Sequence, residues 1–400
     1  MNIEERNLHH LRRAVCEQFG REVNTSVHCN ELSVAIQKDG ILINPQTFRR
    51  FFGLIKTHGG FSNFTLDALA FYCGHADFSA YKKTLIENEL ELFLDEIGRT
   101  RSKDNYWKIS DDLCRKIIES PSLLVSVHHK LLKYPLARTF FMEHHPIRDL
   151  AGTVYSQYFK DYLKYENSNE AKLFAYGFLY MGAFLTENEE FMDLYYQKIK
   201  EIELTPEIYI LPVGRKFGVM LLHSHFRKDD ETFDKVFSQM VAVRENYRET
   251  SEKSVCSFEY AVLEHLIFTD KTQEMLFLID NNITQLYSDK KFIPQDRKEN
   301  HEECWSIMCA VAYLKMKDYK KSKNYLDKVN LENLSLGWQK YYAIQYYIVK
   351  YIFSNPSEKE VILNKLTELI DATHFDYYSN ILAILEGRTS RKLNSELMSK

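Results

Sequence analysis

Glycine and proline are scarce in this chain, 14 and 8 of 400 residues, less than half the roughly 12% they contribute to an average soluble protein. Sandwiches and barrels consume both in their many tight turns, so the shortage argues against either architecture. Cysteine excludes two further classes. The seven cysteines, at 16, 29, 73, 114, 256, 304 and 309, are odd in number, scattered and never spaced C-x-x-C, which suits neither a disulfide framework nor a zinc ribbon. Reduced, mostly buried thiols are expected. Long apolar runs are missing too: the longest uncharged one, Leu173 to Thr186, is too short to span a bilayer. The start MNIEERNLHHLRR is charged, with no apolar segment behind it, so the chain reads as cytoplasmic with no membrane partner. Phosphate-cradling glycine loops, H-E-x-x-H, G-x-S-x-G and the EF-hand pattern are all absent. Without such a grafted site no enzyme activity, catalytic residue or cofactor is expected.

What is present points to a folded helical chain. Hydrophobic residues are 45% and charged residues 27%, ordinary values for a globular protein. Aromatics reach 14%, with 26 Tyr, 26 Phe and 3 Trp, which implies a core or groove built from large rings. The formal charge of −4 gives no global basic footprint for nucleic acid, but charge is unevenly spread. The first 83 residues hold 10 Lys+Arg against 8 Asp+Glu, and the remaining 317 hold 42 against 48. That asymmetry has the direction a DNA-binding head needs.

Within the head, short helical patterns are punctuated by glycine. Leu8 to Phe19 carries apolar residues at 8, 11, 15 and 19 and ends at Gly20. Asn30 is a candidate cap for a helix from Glu31 to Lys38, with Leu32, Ala35 and Ile36 inward and Gly40 as its stop. Asn44-Pro45 then reads as a cap followed by proline at the first helical position. The helix it starts, Gln46 to Ile55, is expected to bury Phe48, Phe52 and Ile55 and to present Gln46, Arg49, Arg50 and Gly53 on the opposite face. A second capped helix, Thr65 to Cys73, and a short one from about Phe78 to Lys83 complete the head.

Two short helices around a glycine-containing turn, the second capped and polar in its first turn, form the helix-turn-helix pattern. The string LSVAIQKDGILINPQTFRRFFGLI, followed by TLDALAFYCGH, resembles the lambda-repressor-like helix-turn-helix domains at the N-terminus of many bacterial proteins. The resemblance covers about a fifth of the chain. It implies a five-helix fold whose third helix, Pro45 to about Leu54, enters the major groove of double-stranded DNA. Phe51-Phe52 departs from the pattern by making that helix more apolar. The expected DNA-contacting set is Asn44, Gln46, Thr47, Arg49, Arg50, Gly53 and Lys56. Arginine can fork onto guanine or clamp phosphate, glutamine can pair with adenine, and a glycine admits the backbone to close approach. Arg21 and His58 are weaker candidates for phosphate contact.

After a bridging helix and charged linker, residues 84–104, the body from 105 to 400 reads as helix after helix. The turns FLTENEEF, HFRKDDETF, IFTDKTQEML, KMKDYKKSKNYL and IFSNPSEKEVI, anchored at Phe184, Phe226, Phe268, Met316 and Phe353, lie 42, 42, 48 and 37 residues apart. Such a period marks stacked helical hairpins. In the fourth unit Ala310 and Tyr313 precede the turn Asp318-Tyr319, and Ser322 and Leu326 follow it. This resembles a degenerate tetratricopeptide unit with serine where alanine is usual. The fold expected overall is therefore all-α: a small five-helix head followed by an α-solenoid of tetratricopeptide-like hairpins. Tyr176, Tyr180, Tyr341, Tyr342, Tyr346 and Tyr347 invite a peptide groove, although most aromatics at helical spacing are core. Adjacent tyrosines such as Tyr346-Tyr347 cannot both face one core, so at least one of each pair is expected on a surface, where Tyr favours interfaces.

Other clusters carry less. His128-His129, His144-His145, His223-x-His225 and His301-Glu-Glu-Cys304 hold ligand-type residues, but adjacent helical histidines diverge by about 100°, and no metal site is expected. The architecture is similar to that of peptide-sensing bacterial regulators. The functional expectation is a DNA-binding transcriptional regulator whose repeats sense a peptide or protein partner or mediate homodimerisation. The alternative is a non-enzymatic protein-interaction scaffold whose helix-turn-helix domain does not read DNA.

Overall fold

The computed structural model describes residues 3–56, 60–85, 132, 138, 148–247, 256–282, 295–335 and 337–387. Among these residues every regular element is helical and no strand occurs. Backbone contacts divide the chain into two compact units, with the described residues up to 85 in one and those from 132 onward in the other. Most of the expected bridge and linker at 84–104 lies outside the described residues, as do His58, His128-His129 and His144-His145.

The first unit contains α1 (Ile3–Phe19), α2 (Ser26–Gln37), α3 (Pro45–Phe51), α4 (Asn63–Tyr72) and a helical segment at 78–85. Its core is Leu11 and Val15 of α1, Cys29, Leu32 and Ile36 of α2, Phe48 and Phe51 of α3, and Leu69 of α4. Two expectations change here. Asn30 does not cap α2. Thr25 does, its hydroxyl accepting from the His28 amide at 3.2 Å, because Cys29 extends the apolar stripe one turn earlier. The buried stripe of α3 is Phe48 and Phe51, not Phe48, Phe52 and Ile55. Helical geometry ends at Phe51, Phe52 is the half-buried C-cap, and Gly53 turns the chain at φ 75°. Ile55 then leaves the helical spacing that would have brought it inward. Such a left-handed position suits glycine because no Cβ collides with the backbone.

Among the described residues of the second unit, the first α-helix is α5 (Gln157–Tyr165), and five helical hairpins follow it. These are α6 (Asn169–Leu185) with α7 (Glu189–Lys200), α8 (Ile210–Phe226) with α9 (Asp230–Asn246), and α10 (Phe258–Leu266) with α11 (Thr272–Asp280). Next come α12 (Gln295–Lys315) with α13 (Tyr319–Leu326), and α14 (Gln339–Phe353) with α15 (Pro356–Thr373). A last helix, α16 (Asp376–Leu385), follows. The first helices of successive hairpins pack side by side. Contacts are not confined to neighbours, because α16 returns to α6. There the Phe184 ring lies 5.1 Å from Tyr377 and 5.0 Å from Phe268, and Phe268 lies 5.4 Å from Tyr377.

Three of the hairpins close through one device. Glu187, Lys228 and Lys317 adopt φ of 54°, 57° and 62°. The next residue's amide donates back to the preceding helix: Asn188 to the Ala183 carbonyl at 2.8 Å, Asp229 to Ser224 at 2.9 Å and Asp318 to Tyr313 at 3.0 Å. The same Asn188, Asp229 and Asp318 cap the following helices through their side chains. One residue thus ends the first helix in a Schellman motif and starts the second. Ser322 of the fourth hairpin is fully buried, and its hydroxyl donates to the Ala310 carbonyl at 2.7 Å. That bond lets serine occupy the small-residue position without an unsatisfied polar group.

The glycines inside α6 and α8 serve close approach, not turning. A Cβ at Gly214 of α8 would lie 2.7 Å from the Ala261 Cβ and 3.0 Å from the Phe258 carbonyl, both on α10. At Gly218 it would lie 2.5 Å from the His265 ring. Gly214→Ala should therefore destabilise the body by about 1–3 kcal/mol despite alanine's better helix propensity, read as a lower urea midpoint. Lys317→Gly has the opposite sign. It relieves a left-handed lysine and should raise stability by about 0.5–1 kcal/mol in the same assay.

Candidate functional site

The sequence-predicted site gathers on and around α3. Asn44 lies ahead of it in extended conformation, and its Oδ1 accepts from the Gln46 amide at 2.8 Å, with Pro45 at the first helical position. Gln46 and Arg50, one turn apart, are both exposed. Thr47 is half-buried, and Gly53 and Lys56 are exposed. Arg49 is half-buried, with its Nη2 donating to Asn30 Oδ1 on α2 at 3.2 Å, while its Nε is buried without a partner. The two arginines therefore differ: Arg49 braces α3 against α2, and Arg50 projects to solvent. Arg12 of α1 supports α3 from behind, its Nε donating to the Phe51 carbonyl and its guanidinium lying 5.3 Å from the Phe51 ring. Phe51, in turn, makes edge contacts with Phe52 and Phe61 at 5.2 and 5.3 Å. The apolar pair that departed from the helix-turn-helix pattern is thus turned partly into the core. Arg21 is ion-paired with Glu31.

The second unit holds a polar cluster that sequence reasoning missed. Arg148, Arg215 of α8 and Glu264 of α10 are all buried. Phe178 is flanked by the Arg148 and Arg215 guanidinium carbons at 4.3 and 4.0 Å from its ring centre, and Arg148 also lies 3.5 Å from the Trp338 ring. Arg215 Nη2 reaches Glu264 Oε2 at 3.5 Å, Tyr342 OH donates to Glu264 Oε1 at 3.1 Å, and the Tyr260 and Tyr342 hydroxyls are 2.7 Å apart. Burial raises the Glu264 carboxyl, but Arg215, His265, Arg148 and the Tyr342 bond outweigh it and leave it below the usual carboxylate range. A cavity of about 30 Å³ adjoins the cluster, room for about one water. The missed signal was charge inside two largely apolar helices: Arg215-Lys216 in ILPVGRKFGVMLL, and Glu259 with Glu264-His265 in FEYAVLEHLIF. Asp149 plays a helix-capping part here. Its carboxylate accepts from the Lys340 and Tyr341 amides, each at 3.0 Å, where the α14 cap residue Trp338 supplies no side-chain bond.

Of the six tyrosines weighed between groove and core, three are packed inside. Tyr180, Tyr341 and Tyr342 are buried, whereas Tyr176, Tyr346 and Tyr347 are half-buried. Tyr341 and Tyr342 are buried together because α14 is covered on more than one side. Tyr342 stacks over Trp338 at 6.1 Å and Tyr341 meets Phe375 edge-on at 6.4 Å. The histidines are packing residues too. His223 stacks on Tyr196 at 3.9 Å, and His301 Nδ1 lies 3.2 Å from Cys256 Sγ. Among the described residues no three His, Cys, Asp or Glu side chains are placed to hold a metal ion, and no helix is long and apolar enough to cross a membrane. Family models, curated proteins and solved structures yield no match to this chain.

His265 gives the body a defined pH response. Its Nδ1 bonds the Ala261 carbonyl at 3.0 Å, and burial pulls its pKa down to about 4, against ~6.5 unfolded. A histidine depressed on folding contributes stability that is complete above its unfolded pKa and lost as pH falls toward the folded value, at about 1.4 kcal/mol per unit. Asp149, pushed up to about 7 by burial, gains stability over the same descent. The histidine part is isolated by comparison with His265→Gln. Between pH 6.5 and 4.5 the wild type should lose about 2 kcal/mol more than the variant in urea titrations.

Proposed function

We propose that this chain is a bacterial cytoplasmic transcriptional regulator whose first unit is a lambda-repressor-like helix-turn-helix domain that binds double-stranded DNA. In this reading the second unit is a tetratricopeptide-like α-solenoid that senses a peptide or protein partner, or joins two copies as a homodimer. The observation that carries the proposal is the exposed pair Gln46 and Arg50 on α3, with Lys56 exposed just beyond it and Arg49 braced on Asn30. A base-reading helix needs such a fixed seat and a few outward forked or amide side chains. Phosphate contact by Lys56 would orient the head without adding sequence information.

A second reading has its own support. Val27 and Val34 on α2 and Phe64 and Phe71 on α4 are 61%, 59%, 64% and 51% exposed. Each pair is seven residues apart and so shares a helix face. These faces suit protein contact in a scaffold whose head reads no DNA. Fluorescence anisotropy on duplex fragments that co-purify with the protein separates the two readings. DNA binding should weaken steeply with salt, and Arg50→Ala should cost about 1–3 kcal/mol of affinity with no change in melting temperature. Salt-insensitive binding, or an Arg50→Ala variant with unchanged affinity, would favour the scaffold.

A further inference from the structure

The second unit contains a cavity of about 360 Å³ walled by α12, α14, α16 and the turn after α10, within the roughly 300–1,000 Å³ of small-molecule sites. Five isoleucines and two valines are among its lining residues, and the Phe268 and Tyr377 rings, 5.4 Å apart, join them. Side chains branched at Cβ hold one strongly preferred rotamer in a helix, so the space is not readily closed by side-chain rotation. Ile352 is 40% exposed, so the lining reaches the surface there. The main polar groups of the lining are committed to the protein itself. Lys315 donates to the Thr269 carbonyl at 2.8 Å, and nearby Asp270 favours its charged form. The Tyr351 hydroxyl donates to the Leu385 carbonyl at 2.8 Å, and the Gln345 amide interacts with the Tyr341 and Tyr378 hydroxyls. Among these groups no spare counter-charge remains for an ionised ligand.

We infer that this cavity binds a neutral, compact hydrocarbon-like molecule of about two fused rings. An apolar cavity of about 150 Å³ holds one benzene, and this one has just over twice that room. Its stiff, branched walls favour a rigid occupant over a long flexible one, which would lose rotamer freedom on entry. An ion would be stripped of its water against walls that cannot replace it. A peptide would bring backbone amides to the same walls and meet the same difficulty. The site is distinct from the peptide or protein partner proposed for the body, and its occupancy is read without DNA, so either proposal can fail alone.

The experiment uses the full-length protein with naphthalene, and with naphthoate and naphthylmethylammonium as its charged counterparts. Calorimetry should show one saturable naphthalene site, at least about tenfold tighter than either ion. Ile381→Trp, which fills the space from α16, should abolish that binding, whereas Val361→Trp at an exposed position of α15 should leave it unchanged. On wild-type protein a neutral aryl diazirine competed by naphthalene should mark peptides of α14 and α16, which locates the site even where a variant fails to fold. Absence of saturable binding, an ion that binds as tightly as naphthalene, a folded Ile381→Trp protein with unchanged affinity, or labelling away from these helices overturns the assignment. So does an apolar peptide that binds where naphthalene does not, or naphthalene binding confined to dilute monomer, which would give the space to a second copy.

Discussion

The body depends on how closely α8 and α10 approach one another. Gly214 and Gly218, one turn apart, leave room for Ala261 and His265, and the neighbours of these four positions are carried inward with them. Arg215 follows Gly214 in the chain and Glu264 precedes His265, so the close crossing sets two opposite charges in the same dry space. An isolated charge there would be expensive. The pairing, the Tyr342 bond and the aromatic faces around both guanidiniums make it tolerable. Gly177 belongs to the same arrangement, since a Cβ there would collide with the Arg215 side chain. The small residues and the charged ones are therefore parts of one packing solution.

Helix α14 connects that solution to the cavity. Tyr342 enters the polar cluster while Gln345, one turn later, lines the apolar cavity. Asp149, nearly two hundred residues earlier, supplies the bonds that the start of α14 lacks. The cluster and the cavity thus share a rigid support whose N-terminal seat is fixed by a distant part of the chain. The return of α16 onto α6 adds a second long-range tie. A strictly linear array, in which each repeat touches only its neighbours, would have neither.

Much of the local structure was legible in the sequence. The scarcity of glycine and proline argued against sandwiches and barrels, and among the described residues no strand occurs. The Asn44-Pro45 cap and the five turn landmarks fall at real helix boundaries, because caps and turns are written in residues adjacent to the boundary they define. Asn30 misled for the opposite reason. Its side chain is a good cap by type, but Thr25 stands five residues earlier, and Asn30 is instead engaged by Arg49 from another helix. The split between Arg49 and Arg50 could not be read from helical spacing alone, since it depends on where α2 lies. The two buried tyrosines of α14 were likewise hidden: periodicity assumes one apolar face, and α14 is covered on more than one. Arg215 and Glu264 were visible as charges within apolar helices, but their pairing needed the crossing of α8 and α10.

The shared closing residues carry a consequence for how this body can vary in length. Asn188, Asp229 and Asp318 each belong to the end of one helix and the beginning of the next, so those turns contain no spare residue. An inserted amino acid would separate the returning amide bond from the capping side chain and forfeit one of them. The described connections between hairpins at 201–209 and 327–335 carry no such double duty, lying outside the paired α-helices. Insertions and deletions among relatives should therefore gather between hairpins and leave the three tight turns at constant length. The spacing of 41 positions between Glu187 and Lys228 is thus set by α7, α8 and the link between them, and only that link is free to lengthen.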